Sequence, residues 1–163
     1  MSKTFLLIGG NTGDRLANLR QATDLIDKNC GPILRVSSIY ETAAWGKSDQ
    51  PAFLNQALEI ETMLEPLPLL NEILAIEHEM GRHREEKYGP RNIDIDIIFY
   101  ESRVIAEPGL RIPHPRMQDR RFVLTPIVEL VPDFLHPIFH KTMLELLVGC
   151  PDSLPVEKFM AVK

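Results

Sequence analysis

Between Phe5 and Tyr100 the apolar residues change period in the order strand, helix, strand, strand, helix, strand. Phe5 to Ile8 is a continuous apolar run that predicts a central strand entering a turn at Gly9-Gly10-Asn11. Behind a cap at Asp14 or Thr12, Leu16, Leu19, Ala22, Leu25 and Ile26 recur at helical spacing until Gly31-Pro32 stops the helix. Ile33 to Thr42 is β-rich and is expected to carry Leu34, Val36, Ser38 and Tyr40 on one face. Phe53 to Thr62 alternates, setting Leu54, Leu58 and Ile60 against Phe53, Asn55, Ala57 and Glu59. Pro66 and Pro68 introduce a second helix with a stripe of Leu69, Leu70, Ile73, Ile76 or Glu77, and Met80, closed by Gly81. Asn92 to Tyr100 is the fourth strand. The β-α-β-β-α-β order predicts an α+β, ferredoxin-like core, an antiparallel sheet with helices on one face. Extra C-terminal elements follow: an extended Gly109 to Pro115, a helix from about Asp119 to Leu130 despite Pro126, and a short helix near Met143 to Val148.

Composition narrows the class. At 163 residues, 44% hydrophobic and 25% charged, the chain is expected to be a single globular domain, 1–163. A net charge of -5 argues against a duplex-coating nucleic-acid binder. Nine of the 18 Lys and Arg residues nevertheless lie between 82 and 121, a concentration suited to a small anion, although interleaved acids would also fit a mixed solvated surface. Cys30 and Cys150 form no CxxC pair, which favours free thiols in a reducing compartment. The apolar run after Met1-Ser2-Lys3 is too short for a signal peptide or a membrane span. A soluble, cytoplasmic protein with no membrane partner is expected. His136 and His140 are four apart, but Pro137 between them argues against a helical zinc pair.

The fourth strand carries the chemistry. Side chains alternate along a strand, so Asp94 and Asp96 point to one face, with Cα atoms about 6.5–7 Å apart. Ile93, Ile95 and Ile97 point to the other, toward the core. Two carboxylates so placed can converge on one or two cations, and magnesium favours one or two protein carboxylates completed by water and phosphate oxygens. A solvated amphipathic strand is the competing reading. Aspartate is disfavoured in strands, and two on one face repel, which tilts the balance toward a metal. Arg82, Arg84 and Arg91 flank the strand and can fork onto phosphate oxygens. No GxxxxGK[ST] occurs, so a P-loop is excluded.

Several blocks in order give these residues a context: Ile8-Gly9-Gly10-Asn11, Val36-Ser37-Ser38-Ile39-Tyr40-Glu41-Thr42, Asp49-Gln50-Pro51-Ala52-Phe53-Leu54-Asn55, Gly89-Pro90-Arg91-Asn92-Ile93-Asp94-Ile95-Asp96, Ile112-Pro113-His114-Pro115-Arg116-Met117 and Arg120-Arg121-Phe122. With them the chain resembles the 6-hydroxymethyl-7,8-dihydropterin pyrophosphokinases, to about residue 135. The resemblance implies transfer of diphosphate from ATP to the hydroxymethyl group of the pterin, releasing AMP, in folate biosynthesis. It implies two Mg2+ ions on Asp94 and Asp96, and catalytic roles for Arg82, Arg91 and Asp96. It implies ATP contacts from Arg82, Arg84, Arg91, Ile97, His114 and Arg120. It implies a pterin pocket of Thr42, Ala43, Trp45, Phe53, Asn55, Asp94 and Phe122. ATP and the pterin are then the small-molecule partners, and a monomer is expected. The chain departs from the family pattern at Gly10, usually serine; Trp45, usually a smaller aliphatic; Phe53, often tyrosine; and Tyr88, often tryptophan. The alternatives are another Asp-x-Asp metal-nucleotide transferase, for which the chain is short, and a non-catalytic ferredoxin-like binding module.

Overall fold

A computed structural model describes residues 1–43, 51–81 and 92–160. The chain runs β1 (Ser2–Gly10), α1 (Arg15–Asn29), β2 (Ile33–Val36), β3 (Tyr40–Thr42), β4 (Phe53–Thr62), α2 (Pro66–Glu79) and β5 (Asp94–Tyr100). A hairpin follows, β6 (Ile105–Glu107) and β7 (Leu110–Ile112), then a 3-10 turn at Met117–Asp119. The chain continues through α3 (Arg121–Leu130), α4 (Met143–Val148) and β8 (Val156–Lys158). The main sheet has the order β5-β1-β4-β3-β8, with β2 also on β4, and its pairings are antiparallel. This is the ferredoxin-like α+β arrangement expected, with the second strand divided between β2 and β3.

Alternation sorts the side chains onto two layers. Leu6, Ile8, Leu54, Leu58, Ile60, Ile93, Ile95 and Ile97 join Leu19, Ala22 and Ile26 of α1 and Leu69, Ile73 and Ile76 of α2 in one core. Phe5, Leu7, Ala57, Ile98 and Phe99 face the other way and pack under α3 and Met143 of α4. The βαββαβ helices thus lie on one face, and the C-terminal helices cover the second.

Three local expectations are corrected. Gly9 and Gly10 are strand residues paired with Asn55 and Leu54, not a turn, because the ladder with β4 runs unbroken to the end of β1. Leu34 and Val36 do not share a buried face with Tyr40; they are 40% and 48% exposed while Tyr40 is buried. The reason is a one-residue slip, since Val36 pairs with Leu58 but Tyr40 pairs with Asn55. At the slip, the Ser37 hydroxyl accepts the Ala57 N–H at 2.9 Å in place of a ladder carbonyl. The tail also contains a strand, β8, that the apolar pattern does not signal. Among the described residues no helix is long and apolar enough to cross a membrane.

Candidate active site

The sheet itself sets the floor of the site. Gly9 of β1 lies opposite Asp94 on one side and Asn55 on the other, and Leu7 lies opposite Asp96 and Ala57. Asp94 therefore rises beside a residue with no side chain and Asp96 beside Leu7, on the face that α3 covers. Their anchoring is opposite: Ile93, Ile95 and Ile97 are at most 6% exposed in the other core. Gly9 is required there, because a Cβ would overlap the Asn55 Oδ1 and stand 2.9 Å from the Leu54 carbonyl oxygen.

A cavity opens above this floor. Its lining includes Gly9 on β1, Thr42, Ala43, Phe53 and Asn55 on the β3–β4 side, Asp94 and Asp96 on β5, and Arg120 and Phe122 at the start of α3. Six of the residues expected around a pterin meet here, together with Asp96. The Arg120 guanidinium lies 5.8 Å from the Phe122 ring centroid, so a cation backs one aromatic wall. Thr42 Oγ1 is buried and has no hydrogen-bond partner among the described residues. Such a group is costly unless a ligand atom meets it.

A second cleft lies along the outer edge of β5. It is lined by Asp96, Ile97 and His114, with Leu70 and Leu74 of α2 and Arg111 of β7 around them. Asp96 thus belongs to both cavities. The Ile97 side chain is buried in the core. The Ile95 N–H points out from the edge to Glu77 Oε2 at 2.8 Å, and alternation sends the Ile97 N–H to the same side. His114 is held by its own N–H on the Ile98 carbonyl, 3.1 Å, and its Nδ1 accepts the Arg116 N–H at 3.3 Å. The ring proton of neutral His114 therefore sits on Nε2. Burial first, then the charges of Arg120 and Arg116 working against Asp94, push the His114 pKa down to about 4.

Trp45, Arg82, Arg84 and Arg91 lie outside the described residues. Arg120, expected at ATP, lines the first cavity rather than the second. Residues not foreseen for the site include Gly9 and Glu77. Gly9 could have been found as a glycine inside an apolar strand run, which marks a close approach. Glu77 could have been found as an acid on the buried stripe of α2; it is 3% exposed and braces the edge of β5.

The sequence model of the 7,8-dihydro-6-hydroxymethylpterin-pyrophosphokinase (HPPK) family matches residues 5–132. The chain belongs to this family. HPPK relatives cover most of it. It is 39% identical over 145 residues to 2-amino-4-hydroxy-6-hydroxymethyldihydropteridine pyrophosphokinase of Aquifex aeolicus, spanning 89% of this chain and 90% of that one. The Bacillus subtilis protein of the same name is 45% identical over 127 residues, 77% of this chain and 76% of that one. The folic acid synthesis protein fol1 of Schizosaccharomyces pombe is 41% identical over 152 residues, 93% of this chain but 20% of that protein. Among solved structures, wild-type Plasmodium falciparum HPPK-DHPS with STZ-DHP superposes with a TM-score of 0.75 at 18% identity. That match covers 91% of this chain and 43% of the other, and it supports the HPPK fold alone.

Proposed function

We propose that the cavity between β3–β4 and α3 binds the pterin, that the cleft along β5 binds ATP, and that Asp96 stands between them at the point of transfer. As an HPPK enzyme the chain transfers diphosphate from ATP to 6-hydroxymethyl-7,8-dihydropterin in folate synthesis. The hydroxymethyl oxygen attacks the β-phosphorus. A new O–P bond forms, the bond from that phosphorus to the α–β bridging oxygen breaks, AMP leaves with the electron pair, and the hydroxyl proton is released.

The observation that carries the assignment is the sharing of Asp96 by two cavities of different character. One offers rings at Phe53 and Phe122, an amide at Asn55 and an unsatisfied hydroxyl at Thr42, which suit a flat hydrogen-bonding heterocycle. The other offers apolar α2 side chains and a strand-edge N–H, which suit a purine, and includes both His114 and Asp96 in its lining.

The donor set fits magnesium. Asp94 and Asp96 supply hard oxygens from one strand face, and no cluster of three or more metal-ligating side chains exists among the described residues. A pair of carboxylates leaving positions for phosphate and water is what magnesium takes, rather than a closed protein cage. Two Mg2+ bound there would neutralise phosphate charge and favour in-line geometry. Asn55 and Thr42 orient the acceptor; neutral His114 offers an Nε2 proton to a phosphate oxygen; Arg120 adds positive charge to the wall of the first cavity. Arg82, Arg84 and Arg91 remain assigned to the phosphates through the chemistry of guanidinium and their place beside β5 in the sequence.

We further infer that residues 1–163 act as one domain, since both cores share one sheet, and that it works as a cytoplasmic monomer with free Cys30 and Cys150. The test is AMP release with and without the pterin and magnesium. Release should require both. Asp96→Ala should lower turnover by at least about a hundredfold while the thermal midpoint stays within a few degrees, consistent with loss of a transition-state contact. Wild-type turnover in Asp96→Ala would refute the assignment.

A further inference from the structure

The family model ends at residue 132, yet the segment from Asp152 to Phe159 reaches both walls of the first cavity. On the strand side, β8 pairs with β3 so that Val156 lies opposite Thr42 and Glu157 opposite Glu41. Just past the end of β8, Phe159 donates its N–H to the Ile39 carbonyl at 2.8 Å. Its ring lies under the Arg15 guanidinium, 5.5 Å from centroid to carbon. Arg15 in turn binds Glu41 Oε2 at 2.7 Å and the Ala52 carbonyl at 2.9 Å. Those two acceptors are the chain neighbours of Thr42 and Phe53, both cavity residues.

On the helix side, α3 begins without a side-chain cap of its own. Asp152 supplies one from a distance. Its Oδ2 accepts the Arg121 N–H at 3.1 Å, its carbonyl accepts Arg121 Nε at 3.0 Å, and its Oδ1 accepts the Leu154 N–H at 2.9 Å. Asp152 is 7% exposed, and a carboxylate at a helix N-terminus satisfies an orphan N–H and complements the helix dipole. Arg121 sits between Arg120 and Phe122, the two residues by which α3 lines the cavity.

We propose that Asp152, Phe159 and Arg15 are positioning residues for the acceptor: the C-terminal segment ties the β3–β4 wall to the α3 wall and so sets the gap into which the flat substrate fits. A stacked heterocycle tolerates little error in that gap, because contact is lost over fractions of an ångström. None of the three lines the ATP cleft. The proposal rests on the assignment of the first cavity to the pterin.

The experiment compares KM for pterin, KM for ATP, kcat and thermal midpoint in Asp152→Ala, Asp152→Asn, Phe159→Ala and Asn55→Ala. Asp152→Ala and Phe159→Ala should each raise the pterin KM about tenfold, with the ATP KM within about twofold of wild type. Asp152→Asn keeps an acceptor for the Arg121 N–H and should recover most of the loss. A lower thermal midpoint with both KM values unchanged, or an equal rise in both, would overturn the brace. If Asp152→Ala does not fold, Phe159→Ala, which removes only a partly exposed ring, decides the matter by the same KM ratio. Asn55→Ala separates the two layers of argument. A raised pterin KM there with wild-type values in the tail variants sinks the brace alone. A wild-type pterin KM in Asn55→Ala sinks the cavity assignment and the brace with it.

Discussion

At Gly9 the absence of a side chain is a positive requirement. The Asn55 amide occupies the volume a Cβ would take, and the Leu54 carbonyl closes the other side. Gly9→Ala must push Asn55 off its place over the floor of the cavity. The chain should fold, with the pterin KM raised about tenfold or more and the ATP KM little changed, because a misplacement of about 1 Å is costly at a positioned contact. Steady-state titration of each substrate checks this, and equal effects on both substrates would contradict it. The two cysteines differ for an equally local reason. Cys30 is buried and, through burial first and the nearby charge of Glu72 second, its thiol is pushed up to about 12. Cys150 is partly exposed. Alkylation of the native protein should label Cys150 and spare Cys30, as read by mass spectrometry of tryptic peptides.

A few polar tethers join α3 to the sheet beneath it, and these locate the helix over the site. Glu129 of α3 accepts the Tyr40 hydroxyl at 2.6 Å with one oxygen and the Ser38 N–H at 2.8 Å with the other. Arg35 of β2 binds Glu59 of β4 at 2.7 Å and the Leu130 carbonyl at the end of α3 at 3.0 Å. The first tether depends on the slip between β2 and β3, which turns Tyr40 toward α3. Tyr40→Phe removes one charged hydrogen bond and leaves its shape intact. It should lower stability by about 1–3 kcal/mol in urea titration. Its effect on the pterin KM should be small, since Arg120 and Phe122 lie at the other end of the helix, held through Arg121 by Asp152.

For the molecule as a whole, acid and chelation should act differently. His136 is 2% exposed, and its Nδ1 accepts the Ile138 and Phe139 N–H groups at 3.1 and 3.2 Å. Burial first, and His140 second, hold its pKa below the usual 6.5. The folded chain then binds this proton less readily than the unfolded chain. The stabilisation is fully present above the unfolded pKa and is lost as pH falls through the folded one. Glu129 works in the same direction at lower pH: against the pull of burial, hydrogen bonds from Tyr40 and Ser38 hold it below the usual carboxylate value. Urea midpoints should therefore fall as the solution is acidified from neutrality. His136→Asn, which keeps an acceptor but cannot titrate, should show a shallower fall. Magnesium removal should do the opposite to function and fold. The strand that carries Asp94 and Asp96 is anchored by Ile93, Ile95 and Ile97 from the other face. Chelation should abolish AMP release and leave the thermal midpoint in place, unlike a structural metal site.

Period and parity were legible in the residues themselves. The alternation Ile-Asp-Ile-Asp-Ile settles which side of β5 is core and which is acid, and the split of Phe53 and Asn55 from Leu54 and Leu58 follows from the same two-residue repeat. The order of elements, and with it the ferredoxin-like sheet, came from changes of period that only local geometry dictates. What the tertiary structure alone decided depends on contacts between distant segments. The Ser37 hydroxyl bonds across the register slip that turns Tyr40, Gly9 makes room for an amide contributed by another strand, and a tail without apolar pattern pairs as a strand along the edge of β3. Alternation is a property of one strand, but register, clearance and edge pairing are properties of two, and neither partner carries them alone.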